Sequence, residues 1–137
     1  MRMFGIDLGE RRTGVATCDE REVLASAFAV LQVKGLNDTI KQLVPMIERE
    51  KPGKIVVGLP LCTDGTRGEK ATRAEAFCDM LRDKVDVEVV LWDERYSTVE
   101  AYSLLHEVGR NEKDARKNID AVAASLILQS YLDASKK

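Results

Sequence analysis

The chain has 137 residues, 45% apolar and 32% charged, and its 21 basic and 23 acidic side chains leave a formal net charge of −2. That length fits one domain, residues 1–137, with one core, and that charge excludes a strongly basic, indiscriminate nucleic-acid coat. No apolar run approaches the ~20 residues that cross a bilayer, and the N-terminus lacks the long apolar stretch of a signal peptide, so a cytoplasmic protein with no membrane partner is expected.

In chain order, Met3–Leu8 reads as a short apolar strand ending at Asp7-Leu8-Gly9. Thr13–Cys18 follows, then a turn at Asp19-Glu20-Arg21, then Val23–Leu31, rich in small and β-branched residues. The spacing predicts a meander of antiparallel hairpins. From residue 37 the period changes: Asn37 is placed to cap a helix carrying Ile40, Leu43, Val44 and Ile47, with a kink or early end expected at Pro45. Lys51-Pro52-Gly53 stops it, and Ile55–Leu59 is a continuous apolar run, the mark of a strand covered on both faces.

Residues 60–68, PLCTDGTRG, form a loop, after which Ala74, Phe77, Cys78, Leu81 and Val85 mark a second helix. Val87–Trp92 is the next strand. Ser97-Thr98-Val99-Glu100 is a capping-box pattern opening a third helix that stops at Gly109. The charged link RNEKDARKN leads to a last helix over Ile119–Ala134. The order β-β-β-α-β-α-β-α-α predicts an α/β fold, with a mixed five-stranded sheet and helices on both faces. Cys18, Cys62 and Cys78 form no C-x-x-C pair, so neither a disulfide framework nor a zinc site is indicated. Cys78 falls on an apolar helix face and is expected to pack there.

Three acids carry the chemistry. Asp7 ends an apolar strand, where a carboxylate is costly unless something positive meets it. Asp93 and Glu94 end another strand, and because successive residues point to opposite faces only one of them can aim where Asp7 aims. Glu94 is the favoured one, with Asp93 as the alternative. Asp120 begins the last helix on a face shared with Ala123, Ala124, Ile127 and Tyr131, which looks packed rather than wet. Each has a plainer reading: a turn Asp before Gly, an exposed strand end, an acid favoured by the helix dipole. Together they are what a two-metal phosphodiesterase needs, with Mg²⁺ or Mn²⁺ as the hard cation, two ions in the working site. Arg11, Arg12, Arg67, Lys70 and Arg95 follow the acids in the same loops and are candidates to hold nucleic-acid phosphates. Arg73, and Arg116 with Lys117 just before Asp120, are further candidates. His106 is expected to be structural.

GIDLGERRTGVA, VVGLPLCTDGTRG, LWDERYSTVEA and NIDAVAASLILQSYL together resemble the YqgF family, also called RuvX, of pre-16S ribosomal RNA nucleases. The resemblance runs nearly end to end. It implies a ribonuclease H-like fold similar to Holliday junction resolvases, a cytoplasmic setting, and action on pre-ribosomal RNA, with branched DNA as the alternative substrate. It also implies Asp7 with Arg12 as the first motif, the strand-end acid within Asp93-Glu94-Arg95, followed by Thr98 as a nucleic-acid contact, and Asp120 as the helix acid. Cys62-Thr63 departs from the family's usual loop, which puts only substrate contacts there in doubt.

Two other classes compete. Asp-x-Gly before a hairpin also resembles the phosphate motif of the actin-like ATP-binding proteins, but those need two related domains. A non-catalytic RNA-binding assembly factor on the same fold is the other, against which stands the retention of a mutually repelling acidic cluster. A homodimer is compatible with the junction-cutting alternative, since two strands are then cut symmetrically.

Overall fold

A computed structural model of the chain describes residues 1–60, 67–94 and 119–135. Three strands come first, β1 (Met3–Asp7), β2 (Arg12–Cys18) and β3 (Ala25–Gln32). They form the expected antiparallel meander, with Asp7 opposite Gly14 and Arg12 opposite Gln32. β3 starts at Ala25 rather than Val23 because the Asp19 carboxylate accepts the N–H groups of Val23 and Leu24, at 2.8 and 2.9 Å, and keeps them in the turn.

Helix α1 (Leu36–Glu50) differs from expectation at both points where the sequence was read for a boundary. Asn37 is not its cap. Gly35, at φ 93°, precedes the first turn, and Asp38 reaches back to accept the N–H of Lys34 at 2.8 Å, the job an acid three residues into a helix does in a capping box. Nor does Pro45 end the helix. Pro45 and Lys41 both face solvent, so the Lys41 carbonyl that loses its helical partner is open to water. The helix closes at Lys51, whose left-handed backbone donates to the Ile47 carbonyl at 2.8 Å.

β4 (Lys54–Leu59), α2 (Glu69–Arg82) and β5 (Glu88–Asp93) follow, and α3 (Ile119–Ser135) is the last element. The expected helix over residues 97–109 and the charged link after it lie outside the described residues, as do Cys62, Arg95, Thr98, His106, Arg116 and Lys117. The strand order is β3-β2-β1-β4-β5, antiparallel on one side of β1 and parallel on the other, where β4 joins β1 and β5 joins β4. The mixed five-stranded sheet is therefore as expected. No described helix is long and apolar enough to cross a membrane.

The pleat sorts the strands' side chains onto two faces. Phe4, Ile6, Val15, Ile55, Val57 and Val89 meet α1 and α2, whose Leu43, Ile47, Phe77 and Leu81 complete a core of large apolar groups. Cys78 is fully buried among them, and its thiol is pushed up to about 11 by burial, so packing is its role, as expected. The opposite face carries Met3, Ala16, Cys18 and Val56 and receives α3 through Ala124, Ile127, Leu128 and Leu132.

On that second face the backbones come close. A Cβ at Gly5 would stand 2.7 Å from Leu128 Cβ, and one at Gly14 would overlap the carbonyl oxygen of Asp120. Small residues on β1 and β2 thus let α3 sink against the sheet. Gln129 fixes its rotation, accepting the N–H of Ala25 and donating to the Val23 carbonyl, both at 2.9 Å. At the other edge the Trp92 indole donates to Ser130 Oγ at 3.0 Å and meets the Tyr131 ring edge-on.

Candidate active site

The two strand-end acids and the helix acid are brought together on the α3 face of the sheet. Asp7 follows Met3 and Gly5 in the β1 alternation and so projects toward α3, and Glu94, one residue past the end of β5, lies on that side too, beside Ile127 of α3 at Gly58. Asp93 belongs with Val89 and Leu91 on the α1–α2 side. Glu94 lies across Gly58 of β4: a Cβ there would stand 3.0 Å from its Cγ and Cδ. Asp120 arrives from the first turn of α3, placed by the close approach at Gly14. Asp7, Glu94 and Asp120 line one open cleft of about 600 Å³, together with Leu8, Gly9, Pro60 and a set of charged residues.

The electrostatics of the cleft follow from this crowding. The Asp7 carboxyl is raised from 3.8 to about 6, first by burial and second by the Asp120 charge, with Lys70 pulling it part of the way back. Asp120 stands 3.2 Å from the Arg12 guanidinium, yet its Oδ2 is buried without a hydrogen bond that has proper geometry. The pair is a charge contact, and that oxygen keeps its lone pairs. Among the described residues no three His, Cys, Asp or Glu side chains are already closed to metal-ligating geometry.

The basic residues divide. Arg11, Arg12, Lys70 and Arg73 line the cleft. Arg67 instead pairs with Glu75 on α2 and is not among the lining residues. Arg95 and Thr98 fall outside the described residues. Gly14 and Gly58, glycines of the motifs GIDLGERRTGVA and VVGLPLCTDGTRG, make room for Asp120 and Glu94, and Glu69, which the sequence reading passed over, joins the rim. A usable signal existed: single glycines inside apolar strands, with an alanine-rich helix elsewhere in the chain, mark a close backbone approach.

The RuvX family model, described as Holliday junction resolvase, matches residues 1–134. A protein of Pelotomaculum thermopropionicum described as "Putative pre-16S rRNA nuclease" is 41% identical over 135 residues, covering 98% of this chain and 88% of that one. One of Halothermothrix orenii with the same description is 38% identical over 137 residues, covering 100% and 98%. Among solved structures, Thermus thermophilus RuvC in complex with Holliday junction substrate superposes with a TM-score of 0.65 at 16% identity, over 98% of this chain and 96% of that one. The fowlpox virus resolvase in complex with junction DNA gives 0.61 at 12% identity, over the full length of both. At such identity these two speak for the fold, the ribonuclease H-like fold of the resolvases. With one family model matched from residue 1 to 134 and relatives so similar over nearly their whole lengths, the chain belongs to the RuvX family.

Proposed function

We propose that this chain, a nuclease by family, hydrolyses phosphodiester bonds in the Asp7–Glu94–Asp120 cleft with the help of divalent cations, Mg²⁺ or Mn²⁺, two in the working enzyme. One observation carries the reading. Acids far apart in sequence converge on one sheet face, and Asp7 is held well above the ordinary carboxylate range by burial and by Asp120. Such an arrangement costs free energy when nothing positive is near and is relieved by a cation.

The donors fit that cation. All are hard oxygens, the type Mg²⁺ and Mn²⁺ prefer, and Asp120 Oδ2 has no hydrogen bond to surrender. When bound, the ions supply an activated water and charge neutralisation at the scissile phosphate. The chain's own part is positional. Asp7 and Glu94 present their oxygens from the ends of sheet strands, and Arg12 steadies Asp120. Arg11, Lys70 and Arg73 hold the phosphate oxygens flanking the cut.

The substrate we assign is pre-16S ribosomal RNA, on the descriptions of the relatives at 41% and 38% identity, and within it we assign the 5′ end as the part processed. Residues 1–137 act as one nuclease domain in the cytoplasm. A second reading, cleavage of four-way DNA junctions by a homodimer, is favoured by the description of the matched family. Labelled single-stranded RNA, precursor 16S ends and four-way junctions, each with Mg²⁺ or Mn²⁺, test both. Metal-dependent cleavage that Asp7→Asn abolishes is the expected result, and the preferred probe chooses the substrate. Equal cleavage by wild type and variant overturns the site. No cleavage of any probe would favour a non-catalytic RNA-binding assembly factor.

A further inference from the structure

A second groove adjoins the acidic cleft. It has a volume of about 710 Å³ and is lined by Arg11, Arg12, Gln32, Val33, Lys34 and Asp38. Arg11 and Arg12 line both hollows, so the two lie side by side at the β1–β2 turn. We infer that this groove is a second nucleic-acid subsite, in which Lys34 holds a backbone phosphate of the strand as it leaves the acidic cleft, with Arg11 standing between this phosphate and the one flanking the cut. The inference rests on the nuclease reading above and extends it from the scissile bond to the path of the strand.

The groove is firmly built. The N–H of Val33 donates to the Arg11 carbonyl at 2.8 Å, Arg12 pairs with Gln32 in the sheet ladder, and Gln42 Nε2 donates to the Gln32 carbonyl at 2.8 Å. These bonds tie the β1–β2 turn to the segment entering α1, so the basic side chains spring from a fixed frame.

Its charge is positive and available. Asp38 is the one acid in the lining. Its Oδ2 is turned onto the loop itself, accepting the N–H of Lys34 at 2.8 Å and Gln42 Nε2 at 3.1 Å. Arg12 is occupied with Asp120. Lys34 and Arg11 are exposed and have no ion-pair partner among the described residues. Two unengaged cations in a groove next to an acidic cleft suit a polyanionic chain, because the backbone must be drawn past carboxylates that repel it. The volume lies within the ~300–1,000 Å³ usual for ligand sites.

Salt dependence tests this directly, since each phosphate contact contributes about 0.7 to the slope of log affinity on log salt for single strands, and about 0.9 for duplex. Anisotropy of labelled single-stranded RNA and of a labelled four-way junction would be followed in Mg²⁺. The protein is the full chain carrying Asp7→Asn to hold cleavage off. Adding Lys34→Gln is expected to lower the slope by one contact and to weaken binding about five- to eightfold at 0.1 M salt. Lys84→Gln, the same charge change in a different groove between α1 and α2, is expected to leave the slope alone. An unchanged slope with Lys34→Gln while the parent binds, or an equal loss with Lys84→Gln, overturns the second subsite and leaves the nuclease reading standing. If the parent binds neither probe and the wild-type chain neither binds nor cleaves one, both readings fall.

Discussion

The two faces of the sheet are built on different terms. Toward α1 and α2 the strands present Phe4, Ile6, Val15, Ile55 and Val57, all fully or almost fully buried against Leu43, Phe77 and Leu81. Toward α3 the corresponding positions on β1 and β2 are Gly5, Gly14 and Ala16, and a helix rich in alanine lies almost on the backbone. Burying a Phe, Leu or Ile side chain is worth about 1.5–3 kcal/mol each, so the first face supplies most of the apolar stabilisation. The second face forgoes that gain for proximity. Only with the backbones this close does an acid in the first turn of a helix arrive beside an acid at the end of a strand. One layer holds the protein together, and the other aims its charges.

Breaking the first face should cost stability and spare chemistry. Phe77→Ala, which empties a fully buried site on α2, is expected to lower unfolding free energy by about 3–5 kcal/mol. Denaturant titration reads this. Cleavage per folded molecule should stay near that of the wild type, and a large loss would mean that the two faces are not separable.

Removing charge from the second face should do the reverse. The folded-state pKa of Asp7, about 6, lies above its ordinary 3.8. Between those values the native protein holds a proton that the unfolded chain has released. Raising the pH through this window therefore strips the proton and lowers stability. Asp7→Asn has no such proton to lose, so without metal it should be more stable than the wild type at pH 7, by at most about 3 kcal/mol. The two should converge below pH 4, and added Mg²⁺ or Mn²⁺ should stabilise the wild type selectively. Thermal melts across pH with and without metal check this; a pH-independent gap would mean that Asp7 is not the strained group.

Filling the close approach should give the smallest change in stability and still disturb the site. Gly14→Ala places a methyl group on the Asp120 carbonyl, which must move because it is backbone. Overpacking of this kind costs about 1–3 kcal/mol. A displacement of about 1 Å at the Asp120 end of α3 could cost on the order of a hundredfold in rate. Cleavage kinetics and a melt on the same sample separate the two effects, and full activity in the variant would show that the depth of the helix does not set the site.

Much of this was legible in the sequence, for reasons that particular elements show. The sheet came from local signals: the period-two meander before residue 32 and the both-sides-covered run Ile55–Leu59. The same period favoured Glu94 over Asp93, and of the two it is Glu94 that lines the cleft. The start of α1 was not legible, because Gly35 and the backward reach of Asp38 do the capping that Asn37 was placed to do. Nor was the continuation through Pro45, which depends on that turn facing solvent. Arg67 shows the limit for sites. Its position in the loop suggested phosphate, but its partner Glu75 lies on a helix face that only the fold brings near. Lys34, whose phosphate role is our proposal, drew no notice for the complementary reason, since nothing in its own neighbours along the chain announces that it shares a groove with Arg11.

Trp92 deserves a practical reading, because it is the only tryptophan in the 137 residues. Its indole sits between β5 and α3, bonded to Ser130, against Tyr131, and two positions before Glu94. Intrinsic emission from this protein therefore reports one place, the seam between the strand that carries one proposed metal ligand and the helix that carries another. Lifting the helix would expose the indole to water and shift its spectrum to the red, whereas tightening of the acids should alter its intensity without that shift. The chain thus carries its own optical gauge for whether its two halves of the cleft are joined.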